Sequence, residues 1–251
     1  MTTLLIAAHE MRRHVVQVFV WMLAAVLVAL MAWQFLIALG AYLQVSPKLG
    51  AMPNAPGVTD LVAIPLLRSL ASVLLVVIPL LTMRSFAGER REHSLVLLLA
   101  AGVGDAHVVL GKFLGTLAIV LALIVMIALL PLLLRFGAAI DIGKIFAALL
   151  GLAFYSAALT AIGLACSAAT AQPALAAASA FVVSALLGIV DLGARLDGVE
   201  HAAINYLALP THLEPFLRGI VASVDIIYFL LLTGIALFLA TMRVAALRRI
   251  A

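Results

Sequence analysis

MRSFAGERREHSLVLLLAAGVGDAHVVLGK, residues 83–112, is a strongly charged interruption between two long apolar runs, and its reading decides the fold. Arg84, Glu89, Arg90, Arg91, Glu92 and His93 crowd its first part, and the apolar segment behind them, 95–101, is seven residues long. A helix that crosses a bilayer needs about 20 apolar residues. Each arginine held at bilayer depth costs about 2.5–3.5 kcal/mol on the insertion scale, more than so short a tail offsets. The stretch therefore lies at a membrane face, with a helix predicted over 85–101. Gly102 and Gly104 break that helix, and Asp105 is placed to cap the next one, beginning near Ala106.

Working outward, the chain of 251 residues is 67% hydrophobic and 10% charged, a composition that excludes a soluble domain with a large core. The fold class is an all-α membrane protein with six transmembrane helices, predicted over 16–43, 61–86, 106–134, 145–169, 173–190 and 220–242. An even number puts both termini on one side. With the termini inside, nine of the 15 basic residues fall there: Arg12, Arg13, Arg84, Arg90, Arg91, Lys112, Arg243, Arg248 and Arg249. The other six, Lys48, Arg68, Arg135, Lys144, Arg195 and Arg218, fall outside. The inner set clusters at span ends, where the positive-inside rule has most force, so the chain is expected with both termini cytoplasmic.

Residues 1–14 set Leu4, Leu5, Ala8 and Met11 on one stripe, away from His9, Glu10, Arg12 and Arg13. That is the pattern of an amphipathic helix lying in the headgroup layer. Arg12-Arg13 ahead of an apolar run also fits a signal peptide, but the run reaches residue 43, too long for a cleaved signal core. The loop 44–60, with Pro47, Pro53 and Pro56, reads as an irregular outer connection. Pro65 and Pro79 can kink span two, or leave it immobile if neighbouring helices satisfy the freed carbonyls. Arg68 can snorkel to the outer interface, the preferred reading, or face a polar cavity. Gly111 and Gly115 have GxxxG spacing, which allows close helix contact inside the chain or at a dimer seam. Ser156, Thr160, Gly163, Ser167, Ser179 and Ser184 make spans four and five rich in small residues, suited to tight packing or to lining a polar route. Cys166, the single cysteine, sits among apolar neighbours as a small core residue and excludes an intrachain disulfide.

Residues 191–219 are the longest polar stretch outside, and their interspersed apolar residues predict short amphipathic, re-entrant outer helices. His201, His212 and Glu214 are chemically able to bind a metal, but their spacing matches no compact site, and solvated or capping roles are favoured. No cofactor or metal is expected in this chain.

Met83-Arg84-Ser85-Phe86-Ala87, then Glu89-Arg90-Arg91, a Leu-rich turn, a short break and Gly111-Lys112 resemble the first cytoplasmic loop of ABC-2 type permeases, closest to the gliding-motility and nitrous-oxide-maturation branch. Thr211-His212-Leu213-Glu214-Pro215-Phe216 with Arg218-Gly219 and Tyr228-Phe229 resembles the last outer loop and last helix of the same branch. Where that family usually has Gly-Thr after the charged cluster, this chain has His93-Ser94. The resemblance implies a single ABC-2 type transmembrane domain over 1–251, with 85–101 as the coupling helix and 191–219 as outer helices capping a central passage. It implies Glu89, Arg90, Arg91, Glu92, His93 and Ser94 as contacts to an ABC ATP-binding subunit, and makes His212, Glu214 and Arg218 outer gate candidates. The expected partners are that ATPase, carrying ATP and Mg, a second permease copy or homologous permease, an outer-face accessory protein and membrane lipids. The expected location is the bacterial cytoplasmic membrane.

The chain has no phosphate loop of its own: Phe113 follows Gly111-Lys112 where Ser or Thr is needed, and Ala106 stands at the first glycine. A basic patch with interleaved aromatics for a nucleic acid is absent as well. An intramembrane enzyme needs a nucleophile and base, or a metal set, at membrane depth, and the predicted spans bring no histidine or carboxylate deep beside their Ser and Thr. A permease driven by a separate ATPase, as exporter or mechanotransmitter, is the leading function, and a structural membrane subunit is the alternative.

Overall fold

The structure, a computed structural model, describes residues 2–49, 56–91, 103–136, 138–196 and 206–248. Helix α1 (Thr2–Val16) precedes the long α2 (Val18–Leu49), with Gln17 at the joint. A π-helical turn, Thr59–Ala63, leads into α3 (Ile64–Thr82), and the short α4 (Ala87–Arg91) follows a four-residue turn. Then come α5 (Asp105–Leu132) with a 3-10 extension, Leu133–Phe136, α6 (Ile142–Ala169), α7 (Pro173–Leu196), α8 (Leu209–Leu217) and α9 (Ser223–Arg248). Among the described residues six stretches are long and apolar enough to cross a membrane: Val18–Pro47, Thr59–Arg91, Asp105–Arg135, Ile142–Ala169, Pro173–Val190 and Ser223–Arg248. Both chain ends therefore belong to one face of the bundle, called here the termini face.

The bundle is built around α6, with α9, α3, α7, α8 and α5 packed on it. Small residues make that possible. Gly151 admits Phe216 of α8 so closely that a Cβ there would fall 2.5 Å from the Phe216 Cβ, and Gly163 lies against Thr82 of α3. In a bilayer, where apolar side chains gain little by leaving lipid, such close backbone approach is a main source of helix association. Ser156, Thr160 and Ser167 on the same helix are buried, and Cys166 is half-buried.

Four boundaries differ from the sequence reading, each for a local reason. Residues 44–49 continue α2 rather than opening a loop. Pro47 removes the N–H that would bond the Leu43 carbonyl, but the Ser46 hydroxyl donates to that oxygen at 3.1 Å in its stead. Residues 191–196 likewise continue α7, since no proline interrupts the backbone hydrogen-bond ladder before Leu196. Asp105 is not the cap: Gly104, extended at φ −65° and ψ 141°, holds that position, and Asp105 lies in the first turn, paired with Arg248 of α9 at 3.1 Å. Helix α3 ends at Thr82 and the chain turns through 83–86 before α4, so the expected helix start at Ser85 moves to Ala87.

Helix α8 is closed by a complete C-terminal motif. The Gly219 N–H donates to Phe216 O at 3.0 Å and the Ile220 N–H to Pro215 O at 2.9 Å, with Gly219 at φ 87°. Only glycine adopts that conformation freely, and a Cβ would also meet Lys144 Cγ at 2.7 Å.

Candidate functional site

The charged stretch leaves α3 through a turn held from outside itself. The Ser167 hydroxyl of α6 accepts the N–H groups of Phe86 and Ala87, each at 3.1 Å, and donates to Met83 O at 3.1 Å. Three backbone groups of the turn are thus satisfied by one side chain, where a spanning helix ends and its orphan carbonyls need partners. Phe86 and Ala87 are fully buried. One helical turn later, Glu89 points inward.

Its Oε1 accepts the Lys112 ammonium of α5 at 2.6 Å and the Arg13 guanidinium of α1 at 2.7 Å. Lys112 also donates to Glu10 Oε2 at 3.2 Å and stands 5.2 Å over the Phe86 ring. Arg13 lies 3.9 Å from Glu10, and His14 Nε2 is 3.8 Å from Glu10 Oε1 and 3.3 Å from the Thr116 hydroxyl. Lys112 and Glu10 are each 2% exposed. Two carboxylates face two cations, so the cluster is neutral if His14 is uncharged. Burial pushes the His14 imidazole below its ordinary value of 6.5, the Arg13 and Lys112 charges push the same way, and Glu10 opposes them. Such a cluster is compensated only when complete, because each ion taken from water must recover several kcal/mol from its partners, on the order of the desolvation cost.

The cluster has a fitted floor. At Gly115 a Cβ would meet Ala7 O at 2.7 Å and Glu10 Cβ at 2.9 Å, and at Gly111 it would meet Ile6 Cβ at 2.7 Å and Thr3 O at 3.0 Å. The GxxxG pair is therefore the seat of α1 on α5. That helix docks by the stripe of Ile6, Ala7, Glu10 and His14 and leaves Leu4, Leu5 and Met11 exposed on the other side. Beside the seat, Arg248 closes the start of α5 by reaching Val103 O as well as Asp105.

Of the expected contact residues, Glu89 is engaged with Lys112 and Arg13, Arg90 is half-buried and Arg91 is exposed. Glu92, His93 and Ser94, and with them the rest of the predicted helix to 101, lie outside the described residues. Sequence reasoning missed Lys112, Glu10 and Ser167 as parts of one site. Lys112 held a usable signal, since a lysine inside an apolar run demands a partner.

At the opposite face the gate candidates separate into two groups. Glu214 accepts Arg68 through both carboxylate oxygens, at 2.7 and 2.8 Å, and Arg218 at 3.2 Å. Arg68 thus turns to Glu214 on α8 rather than snorkelling alone, and the pair borders a cavity of about 170 Å³ with Ser72, Tyr155 and Leu213. His212 is buried beneath: Nδ1 meets Asp225 at 2.7 Å, Nε2 meets Tyr206 O at 2.9 Å, and the Tyr228 ring stacks on it at 3.9 Å. A carbonyl only accepts, so Nε2 carries a proton. His212 pins α8 to α9, and His201 lies outside the described residues. Among the described residues no group of three His, Cys, Asp or Glu is placed to hold a metal.

The sequence pattern described as ABC-2 family transporter protein matches residues 51–242. No curated protein matches the chain.

Proposed function

The chain belongs to the ABC-2 family of transporter proteins, and from that premise we propose that it couples a separate ATPase to movement of its own spans through the Glu89 cluster. Members of the family are multi-pass membrane components of ABC transporters that leave ATP hydrolysis to a partner subunit. The finer reading concerns how force enters. The ATPase docks on the cytoplasmic face at the stretch around Arg90 and Arg91, and the termini face is that cytoplasmic face. Motion of α4 passes to α5 through Glu89–Lys112 and to α1 through Glu89–Arg13, so spans two and three and the interfacial helix shift together. The observation that carries this reading is the single oxygen, Glu89 Oε1, accepting both cations at 2.6 and 2.7 Å.

A second permease copy, or a homologous permease, completes the passage. The exposed spans suit that role: in α2 and α7 only 22% and 17% of the apolar window is buried within the chain. The α8 helix at the other face is where an accessory protein or an outer gate would act. Export and transmission of force without a passage are both compatible with this arrangement.

The test is co-purification of the tagged protein from native membranes, followed by ATP hydrolysis measurements. The expected result is a co-purifying ATPase that is lost on deleting 89–101 and weakened by charge reversal at Arg90 or Arg91. Glu89→Gln should keep the ATPase bound but reduce stimulation of hydrolysis. A protein that purifies alone, or a Glu89→Gln variant with normal stimulation, would count against coupling and favour the structural-subunit alternative.

A further inference from the structure

A cleft of about 980 Å³ opens on the termini face between the α1–α2 joint, the 83–91 stretch and the link from α6 to α7. Arg13, Arg84 and Arg91 line it with Gln17 and Gln172, and among the described residues no carboxylate lines it. Among the described residues the nearest acid in sequence, Glu89, is turned to Lys112 and Arg13, and Glu92 lies outside the described residues. Arg13 contributes Nη1 to Glu89, while its Nη2 lies beside Gly88 on the cleft wall. Arg84 is held over the Phe19 ring at 5.8 Å, and among the described residues neither it nor Arg91 meets a carboxylate. Arg84 and Arg91 thus bring two guanidinium groups to one space, beside the Glu89-paired Arg13, with no carboxylate among the described residues to balance them, and arginine suits phosphate because its planar fork matches the oxygens two at a time.

The surroundings identify what carries the phosphate. Exposed Trp21, its indole N–H donating to Val15 O at 2.6 Å, stands one turn into α2 at the level where tryptophan occupies the headgroup layer. Val18 on α2 and Leu175 on α7 are exposed at the start of the two spans that flank the cleft. The polar space thus opens between lipid-facing walls, and its volume far exceeds that of an inorganic phosphate. The cleft also points its α7 wall N-terminus first, an end that favours negative charge.

We propose that this cleft binds the phosphate-bearing headgroup of an anionic lipid from the adjoining leaflet, with Arg84 and Arg91 as its principal phosphate contacts and the acyl chains passing between α2 and α7. Lipid binding does not rest on the coupling reading, although Arg91 serves in both, and lipid retention is measured on the permease alone. The full chain is equilibrated in mixed micelles of phosphatidylglycerol and phosphatidylcholine, and retained lipids are counted by native mass spectrometry. Preferential retention of phosphatidylglycerol is expected, falling roughly tenfold or more in Arg84→Gln with Arg91→Gln. Arg12→Gln with Arg243→Gln, which removes two exposed charges of the same face outside the cleft, should leave retention unchanged.

Gly88→Asp gives a second test without deleting a cleft side chain. Its Cβ has ordinary room, 3.4 Å from Arg84 Cβ, and the new carboxylate should compete for the arginines and lower retention likewise. Soluble glycerol 3-phosphate should displace little lipid. The proposal is overturned by equal retention in the cleft variants and the wild type, by an equal loss in the Arg12/Arg243 control, or by glycerol 3-phosphate displacing lipid efficiently, which would mark a soluble-anion site. It is also overturned if the cleft variants lose ATPase binding while keeping phosphatidylglycerol, which would make the cleft a protein-docking surface.

Discussion

At the termini face Lys112 meets Glu10 at 3.2 Å with side chains 2% and 3% exposed; at the opposite face Arg68 meets Glu214 at 2.7 Å with side chains 53% and 33% exposed. The shorter pair is the weaker device. Water can replace either partner of Arg68–Glu214, so its formation contributes about 0–1 kcal/mol. Nothing replaces a partner of Lys112 where α1, α4 and α5 close around it, and its two carboxylates come from two different elements. Burial and connectivity, rather than distance, decide which cluster can carry a displacement from one helix to the next. The opposite face keeps its own buried contact apart from the ions, as the stacked His212 and Tyr228 under α8.

The largest expected effect breaks this contrast at its centre. Lys112→Met leaves Glu10 and Glu89 with one cation between them and should destabilise the protein by about 3–5 kcal/mol, read as a lowered midpoint of thermal unfolding in detergent. Adding Glu10→Gln should recover part of that loss, since it removes the one carboxylate charge left uncompensated. Gly115→Leu comes next: overpacking against Ala7 O and Glu10 should cost about 1–3 kcal/mol and lift α1, measurable as faster proteolysis at the N-terminal helix. An unchanged α1 in that variant would mean the seat is not what holds the cluster together.

A smaller effect follows from His14, whose folded-state proton affinity lies below its ordinary value of 6.5. The unfolded chain binds the proton more readily, so stability is fully present above about pH 6.5 and falls as pH drops through and below it. His14→Gln should flatten that slope in a series of thermal melts taken from neutral to acid pH. The smallest effect belongs to Arg68→Gln, within about 1 kcal/mol and further reduced by salt. A loss as large as that of Lys112→Met would erase the contrast between the faces.

Much of the architecture was legible. Hydropathy marks the six spans, because a helix in lipid must be apolar along its whole length and satisfy its own backbone. The ends were less legible: Pro47 reads as a breaker until Ser46 is seen to answer for its missing N–H, and Asp105 reads as a cap although Gly104 takes that place. In the candidate site, Glu89 was legible as important and illegible in direction. Its partners lie 23 and 76 positions away in the chain, and Lys112 and Glu10 are 102 apart, distances at which no local spacing rule applies. Gly111 and Gly115 announced close contact with some helix without naming it.

Residue types alone determined that this chain carries six stretches long and apolar enough to cross a membrane, that its charges gather at the span ends, and that no phosphate-loop pattern occurs in it, because each follows from transfer energies or local chemistry summed along the chain. Tertiary structure alone decided that α1 sits on the two glycines of α5, that Ser167 holds the turn before α4, and that Glu89 faces Lys112 and Arg13 while Arg91 faces a cleft. The physical reason is that a buried ion is stable only beside its counter-ions. Which residues become neighbours depends on how the helices pack, and no segment of the chain contains that information by itself.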